Sequence, residues 1–165
     1  MNTLIQFINP GSIQINVLDK PDRKSVKVLH DFEEYVSPIF YKGDSVKGNV
    51  KICVPLHQKP IKFKRLKISL IGTITDNKYF VKRTFSYETI EIIRAGSVAI
   101  STWFDFEFER PKLPYESFGG KLFEIEYILV ATVVRSITNI ECKHPIFVQV
   151  CGIPTPSVSK LFFQA

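Results

Sequence analysis

The stretch Phe104-Asp105-Phe106-Glu107-Phe108 decides the fold class of this chain. Its phenylalanines alternate with acidic residues, so one face of the segment is apolar and the other is charged. A period of two residues is that of a β-strand with one face against a core and the other in solvent. Helical periodicity is nearly absent from the remaining sequence, and the chain is therefore predicted to be all-β.

The same alternation recurs on both sides of this stretch and predicts about eight strands separated by turn residues, a spacing typical of a β-sandwich or barrel. The predicted strands cover residues 13–17, 46–54, 61–74, 79–87, 89–93, 104–108, 123–133 and 146–150. Residues 19–27 are interpreted as a charged loop, and 75–78 as a turn. The alternation slips by one residue at Lys64 and Arg65, which predicts a β-bulge there.

Length and composition indicate a folded chain with one domain. The 165 residues are 45% hydrophobic, with fourteen Phe and six Tyr, which is enough apolar material for a core. The predicted domain covers residues 1–152, and the Pro-rich residues 153–165 are interpreted as a linker or short C-terminal tail.

The cysteines and the N-terminus favour a cytoplasmic location. Cys53, Cys142 and Cys151 form no CxxC pair, and their odd number leaves one unpaired in any disulfide scheme, which indicates a reducing compartment. The first residues lack the organisation of a signal peptide, and the longest apolar run, 128–134, is too short to span a bilayer. Any membrane association is therefore expected to be peripheral.

Charge is unevenly distributed along the chain. Residues 1–83 contain fifteen Lys and Arg against seven Asp and Glu, whereas residues 84–165 contain seven against nine. A basic half can direct a protein toward anionic lipid, nucleic acid or an acidic protein surface, and the charge alone does not choose among them.

Two stretches resemble the vacuolar protein sorting 26 family, the arrestin-like subunit of the retromer complex. They are Tyr41-Lys42-Gly43-Asp44-Ser45-Val46-Lys47-Gly48-Asn49-Val50, and Phe104 to Phe108 followed by Lys112-Leu113-Pro114-Tyr115-Glu116-Ser117-Phe118. The resemblance covers residues 10–150 loosely and 104–149 best. It implies an arrestin-like, immunoglobulin-like β-sandwich of two antiparallel sheets.

The resemblance also implies a biological setting. Family members have two such lobes in tandem, and this chain is long enough for the N-terminal lobe only, so the second lobe is expected to be absent. The implied partners are the large α-solenoid subunit of retromer, which in the family contacts mainly the second lobe, together with sorting nexins and cargo tails at the endosomal membrane. Lys42 stands where the family often has an acidic residue used by a PDZ-containing sorting nexin.

No catalytic, metal or cofactor site is expected. Asp105, Glu107 and Glu109 have a spacing that could suit a glycosidase carboxylate pair, but a solvated sheet face is the favoured interpretation. Cys142 and His144 are close in sequence, but two further zinc ligands are not evident. Phosphate loops, serine elbows and Cys/His pairs at a recognisable spacing are not found in the sequence.

Two groups of residues are candidate contact sites. The densest basic cluster is a candidate patch for a partner or a lipid headgroup, although an edge strand protected by lysine is the favoured interpretation; it contains Lys59, Lys62, Lys64, Arg65 and Lys67. Tyr115, Glu116 and Ser117 are interpreted as a structural corner rather than a partner contact, with the Tyr hydroxyl and Glu carboxylate bonding nearby groups.

The leading hypothesis is a non-enzymatic, retromer-type scaffold in endosomal protein sorting that acts through protein–protein contacts, including the addition of cargo segments to sheet edges. The alternative is a basic β-sandwich module that binds anionic lipid surfaces or nucleic acid. Nucleic acid is the less favoured ligand because Phe63, in the middle of the basic cluster, is in phase with the predicted core.

Overall fold

The computed structural model describes residues 11–150 and shows ten β-strands, with no helix in that range. The strands are β1 Ser12–Val17, β2 Ser25–His30, β3 Glu33–Tyr41, β4 Val46–Cys53, β5 Ile61–Asp76, β6 Val81–Val98, β7 Thr102–Phe108, β8 Phe118–Gly119, β9 Phe123–Val134 and β10 Ile140–Gln149. The tail predicted at 153–165 lies outside the described residues.

The strands form two sheets, as predicted. The smaller sheet has three strands in the order β1-β4-β7, and the larger has seven, in the order β2-β3-β10-β9-β5-β6 with β8 paired to β9. All described pairings are antiparallel except that of β10 with β3, where Phe147 lies opposite Ile39 in a parallel register. The expectation of two purely antiparallel sheets therefore needs this one correction in the larger sheet.

One hydrophobic core joins the two sheets. Phe106 and Phe108 of β7 pack with alternate residues of the larger sheet, including Leu66 of β5 and Leu129 of β9. The apolar face predicted for residues 104–108 thus lies inward, while Asp105 and Glu107 are exposed. The removal of this apolar surface from water is the main force that holds the sheets together.

The turn between β3 and β4 explains one of the two characteristic stretches. Asp44 accepts hydrogen bonds from the Tyr41 amide at 2.9 Å and from Arg23 at 2.7 Å, while Gly43 has a φ of +91°. Gly48 lies so close to the Asn16 carbonyl and the Phe106 ring that a Cβ atom would collide with both. Glycine is therefore required at both positions for different reasons.

The predicted strands differ from the observed ones in three places. The hairpin of β2 and β3 was missed, and the charged loop predicted at 19–27 is too long because β2 begins at Ser25. The two strands predicted at 79–87 and 89–93 are one 18-residue strand, β6. The two-residue strand β8 was also missed.

The phase slip in β5 is present, but the bulges lie elsewhere. Lys64 and Arg65 are both exposed between buried Phe63 and buried Leu66, as the slip requires. The register shifts against β6 come between Leu66 and Lys67 and between Gly72 and Thr73. At each shift β6 has one residue more than β5. The bulged strand is therefore β6, whereas the prediction placed the bulge in β5.

Candidate functional site

Tyr115 is held by a buried tyrosine on β9. The Tyr127 hydroxyl donates to the Tyr115 carbonyl at 2.8 Å and accepts from the Tyr115 amide at 3.2 Å. Burial raises the pKa of Tyr127, and the hydrogen bond to the Tyr115 backbone opposes that rise. The Tyr115 ring meets the Phe85 ring edge to face, with centroids 4.9 Å apart.

Glu116 and Ser117 hold the end of β10. The Ser117 amide donates to the Val148 carbonyl at 2.8 Å, and the Val148 amide donates to the Ser117 hydroxyl at 2.9 Å. The Val150 amide donates to the Glu116 carboxylate at 2.9 Å. Residues 115–117 and Tyr127 are called the corner below. The hydroxyl that closes it is that of Tyr127, whereas the sequence pattern pointed to Tyr115.

Four residues of the basic cluster lie on β5, which is a central strand from Arg65 onward, and Lys59 lies in the loop before it. Residues 65–76 of β5 pair with β9 on one side, and β6 pairs along the other side. Lys62 and Lys64 are in the first part of β5, where the described pairing is with β6 only. The sequence pattern could not show this because strand order is a tertiary property.

The cations of this cluster point outward and remain unpaired. Lys59, Lys62, Lys64 and Arg65 are exposed, and Lys67 is half-buried opposite Glu91 of β6. Glu91 instead accepts from Arg94 at 2.7 Å. Within residues 11–150 no ion pair involves any of the five cluster cations. Their charge is therefore available to an anionic partner.

A groove that the sequence did not reveal separates the β6 edge from the loop at 110–114. Its volume is about 680 Å³, and its lining includes Lys42, Tyr87, Glu88 and Pro111. The Lys112 amide donates to Glu88 at 3.1 Å, which holds the loop against β6. Lys42 thus lies in a groove, and the proline-bounded loop was the sequence signal that could have located it.

The acidic residues of β7 and the pair Cys142 and His144 do not form a metal site in the described part of the chain. Glu107 pairs with Lys47 at 3.1 Å on the exposed face of the smaller sheet. Burial raises the pKa of the Cys142 thiol and lowers that of His144. Within the described part of the chain, no three His, Cys, Asp or Glu residues come together in a group that could hold a metal ion. No helix of that part is long and apolar enough to cross a bilayer.

Comparison with known proteins identifies the family. The model of the family Vps26, described as Vacuolar protein sorting-associated protein 26, matches residues 7–162. The chain belongs to the Vps26 family. This confirms the resemblance carried by residues 41–50 and 104–118.

Several curated proteins of the Vps26 family are similar to the chain. Vacuolar protein sorting-associated protein 26B of Danio rerio is 30% identical over 156 residues, covering 90% of this chain and 46% of its own length. Vacuolar protein sorting-associated protein 26A of Arabidopsis thaliana is 27% identical, covering 96% of this chain and 53% of its own length. The chain spans about half the length of the curated relatives it matches.

A solved structure supports the arrestin-like fold. The crystal structure of Spo0M, a sporulation control protein from Bacillus subtilis, matches with a TM-score of 0.58 and 12% identity. The match covers 86% of this chain and 51% of that one. At this identity the likeness shows the fold alone, and it confirms the predicted arrestin-like β-sandwich.

Proposed function

We propose that this chain is a non-catalytic scaffold in retromer-type protein sorting at the endosome. The observation that carries the proposal is the Vps26 family match over residues 7–162. In this proposal residues 1–152 form an arrestin-like lobe that works in the cytoplasm and meets the endosomal membrane peripherally. Its partners are the large α-solenoid subunit of retromer, sorting nexins and cargo tails.

Two surfaces support a mechanism based on protein–protein contacts. β6 is an edge strand of 18 residues, and an extended cargo segment can add to such an edge through backbone hydrogen bonds. The groove beside it contains Lys42, at the position that the family resemblance associates with a sorting nexin. The groove and the edge adjoin at residues 85–88, so two partners could meet there.

Binding measurements test the scaffold. The purified chain is titrated with retromer subunits, a PDZ-containing sorting nexin and cargo-tail peptides, and hydrogen exchange is followed in β6. We expect binding of at least one of these partners. For a cargo tail we expect slower exchange at amides of β6, because strand addition protects them. Failure to bind any of these partners would defeat the proposal.

A charge reversal in the groove sharpens this test. Lys42→Glu restores the acidic character that the family often has at this position, so we expect tighter binding of the sorting nexin. Lys121→Glu is the matched control, since Lys121 is also exposed but does not line the groove. Equal responses of the two variants would exclude the groove as the sorting nexin site.

A further inference from the structure

Three exposed aliphatic side chains lie on three loops at one end of the sandwich. Leu56 is 87% exposed in the β4–β5 loop, Ile100 is 77% exposed in the β6–β7 loop, and Ile137 is 94% exposed in the β9–β10 loop. Single exposed apolar residues are common, whereas a large contiguous group of them is typical of an interaction surface.

The pairing of the strands brings these loops together. The Val54 amide donates to the Ser101 hydroxyl at 3.0 Å, which joins the first two loops. Ile61, the first residue of β5, lies opposite Val98, the last residue of β6. The third loop follows Val134, which lies opposite Arg65 of β5. The three loops and the first residues of β5 are called the basic end below.

The charged side chains of the three loops and the first residues of β5 are all positive. The loops 54–60, 99–101 and 135–139 contain no acidic residue. Lys59, Lys62, Lys64 and Arg65 are exposed there, and within residues 11–150 none of them is in an ion pair. The aliphatic loop residues therefore share this end with exposed cations that form no ion pair within residues 11–150.

We propose that the basic end docks on an anionic lipid bilayer, with Leu56, Ile100 and Ile137 entering the interface and the cations contacting headgroups. Apolar burial and electrostatic attraction to anionic lipid add together at a membrane surface. Aliphatic side chains that project from separate loops suit a deformable interface better than a protein groove, which would have to match all three. The proposal deepens the peripheral membrane contact in the proposed function and rests on it.

The chain contains its own reporter of docking. Trp103 is the one tryptophan of the sequence and follows Ile100 by three residues at the start of β7. It is half-exposed, with the Lys51 ammonium 5.1 Å from its ring centroid. Docking moves this indole into a less polar environment, so its fluorescence emission should shift to the blue.

The experiment measures Trp103 emission and vesicle cosedimentation of the full chain. Phosphatidylcholine vesicles with and without phosphatidylserine are compared at low and high salt. We expect a blue shift and sedimentation only with phosphatidylserine. High salt should weaken binding because it screens the attraction of exposed charges. The assay contains no retromer subunit, so its failure is distinguishable from failure of the scaffold proposal.

Two variants separate the apolar and the charged contributions. The triple variant Leu56→Ser, Ile100→Ser, Ile137→Ser removes the aliphatic groups and should abolish the blue shift. The double variant Lys62→Gln, Lys64→Gln should weaken binding by about fivefold for each cation. Each variant is first shown to unfold at the wild-type temperature.

The opposite end of the sandwich supplies the matched control. Phe80 is 88% exposed and Leu122 is 73% exposed, and their loops are joined by the Asn77 amide donating to the Leu122 carbonyl. The double variant Phe80→Ser, Leu122→Ser removes two exposed apolar side chains from that end and should keep both the blue shift and the sedimentation.

Four outcomes would overturn the inference. They are no binding of the wild-type chain to phosphatidylserine vesicles at low salt, unchanged binding of the triple serine variant, equal loss in the opposite-end control, and equally tight binding to a short DNA duplex. The last would identify a nonspecific polyanion site instead.

Discussion

The corner and the basic end use their polar groups in opposite ways. At the corner, the Tyr127 hydroxyl and the Ser117 side chain are committed to backbone groups inside the protein. At the basic end, the exposed cations Lys62 and Lys64 have no ion-pair partner within residues 11–150. Groups satisfied internally stabilise the fold, whereas unpaired exposed charges leave stability almost unchanged and remain free for binding. The predictions below test this contrast.

The largest effect is expected at the hydroxyl that closes the corner. Tyr127→Phe leaves the Tyr115 amide and carbonyl without their partner, and should lower the free energy of unfolding by about 1–3 kcal/mol. Chemical denaturation measures it. The control is Tyr79→Phe, at a tyrosine that is exposed and makes no hydrogen bond through its hydroxyl in the described part of the chain. Similar losses of stability in both variants would show that the Tyr127 hydroxyl contributes no more to the fold than an exposed hydroxyl does.

A smaller loss is expected where the corner holds β10. Ser117→Ala removes the acceptor of the Val148 amide and should lower the free energy of unfolding by about 1 kcal/mol. Hydrogen exchange at Val148 should accelerate at the same time. Ser97→Ala, in an exposed position of β6, is the control and should leave stability unchanged. An unaltered exchange rate at the Val148 amide would show that the Ser117 hydroxyl does not hold the end of β10.

An intermediate case is a half-buried acid on β9. Burial raises the pKa of Glu124, and the charge of Glu126 adds to that rise. A carboxyl with a raised pKa binds its proton more tightly in the folded state, so its contribution to stability is present at low pH and is lost as pH rises through the folded pKa. Glu124→Gln should therefore raise the unfolding temperature at neutral pH.

The advantage of the same variant should depend on pH. The difference in unfolding temperature between Glu124→Gln and the wild-type chain should be small below the ordinary carboxyl pKa of 4.5 and should grow in favour of the variant up to neutral pH. A lower unfolding temperature of the variant at neutral pH would show that the charged carboxylate stabilises the fold.

The smallest effect on stability is expected at the basic end. Lys62→Gln with Lys64→Gln should change the free energy of unfolding by no more than about 0.5 kcal/mol, because both side chains are exposed and unpaired. Denaturation curves of this variant and the wild-type chain should nearly coincide. A loss as large as that of Ser117→Ala would show that these cations stabilise the fold.

The order of strands within each sheet explains most errors of the sequence analysis. The cluster at 59–67 was interpreted as one edge strand, whereas β5 is paired on both sides from Arg65 onward, because alternation shows which side chains face out and contains no information on neighbouring strands. The hairpin of β2 and β3 was missed because Ser37, Pro38, Ile39 and Phe40 are all buried, so this part of β3 has no polar face. Phe40 packs in the main core, whereas Ile39 packs with Val28 and Phe147 in a second apolar cluster.

Alternation in the sequence determined the all-β class and the inward face of strands such as 104–108, and the two characteristic stretches determined the family. This was possible because side chains of a strand alternate sides whatever its neighbours are. Only the tertiary structure decided that Tyr127 closes the corner, that Lys42 lies in a groove, and that Leu56, Ile100 and Ile137 share one end. These are contacts between distant segments, and they depend on which strands pair rather than on any local pattern.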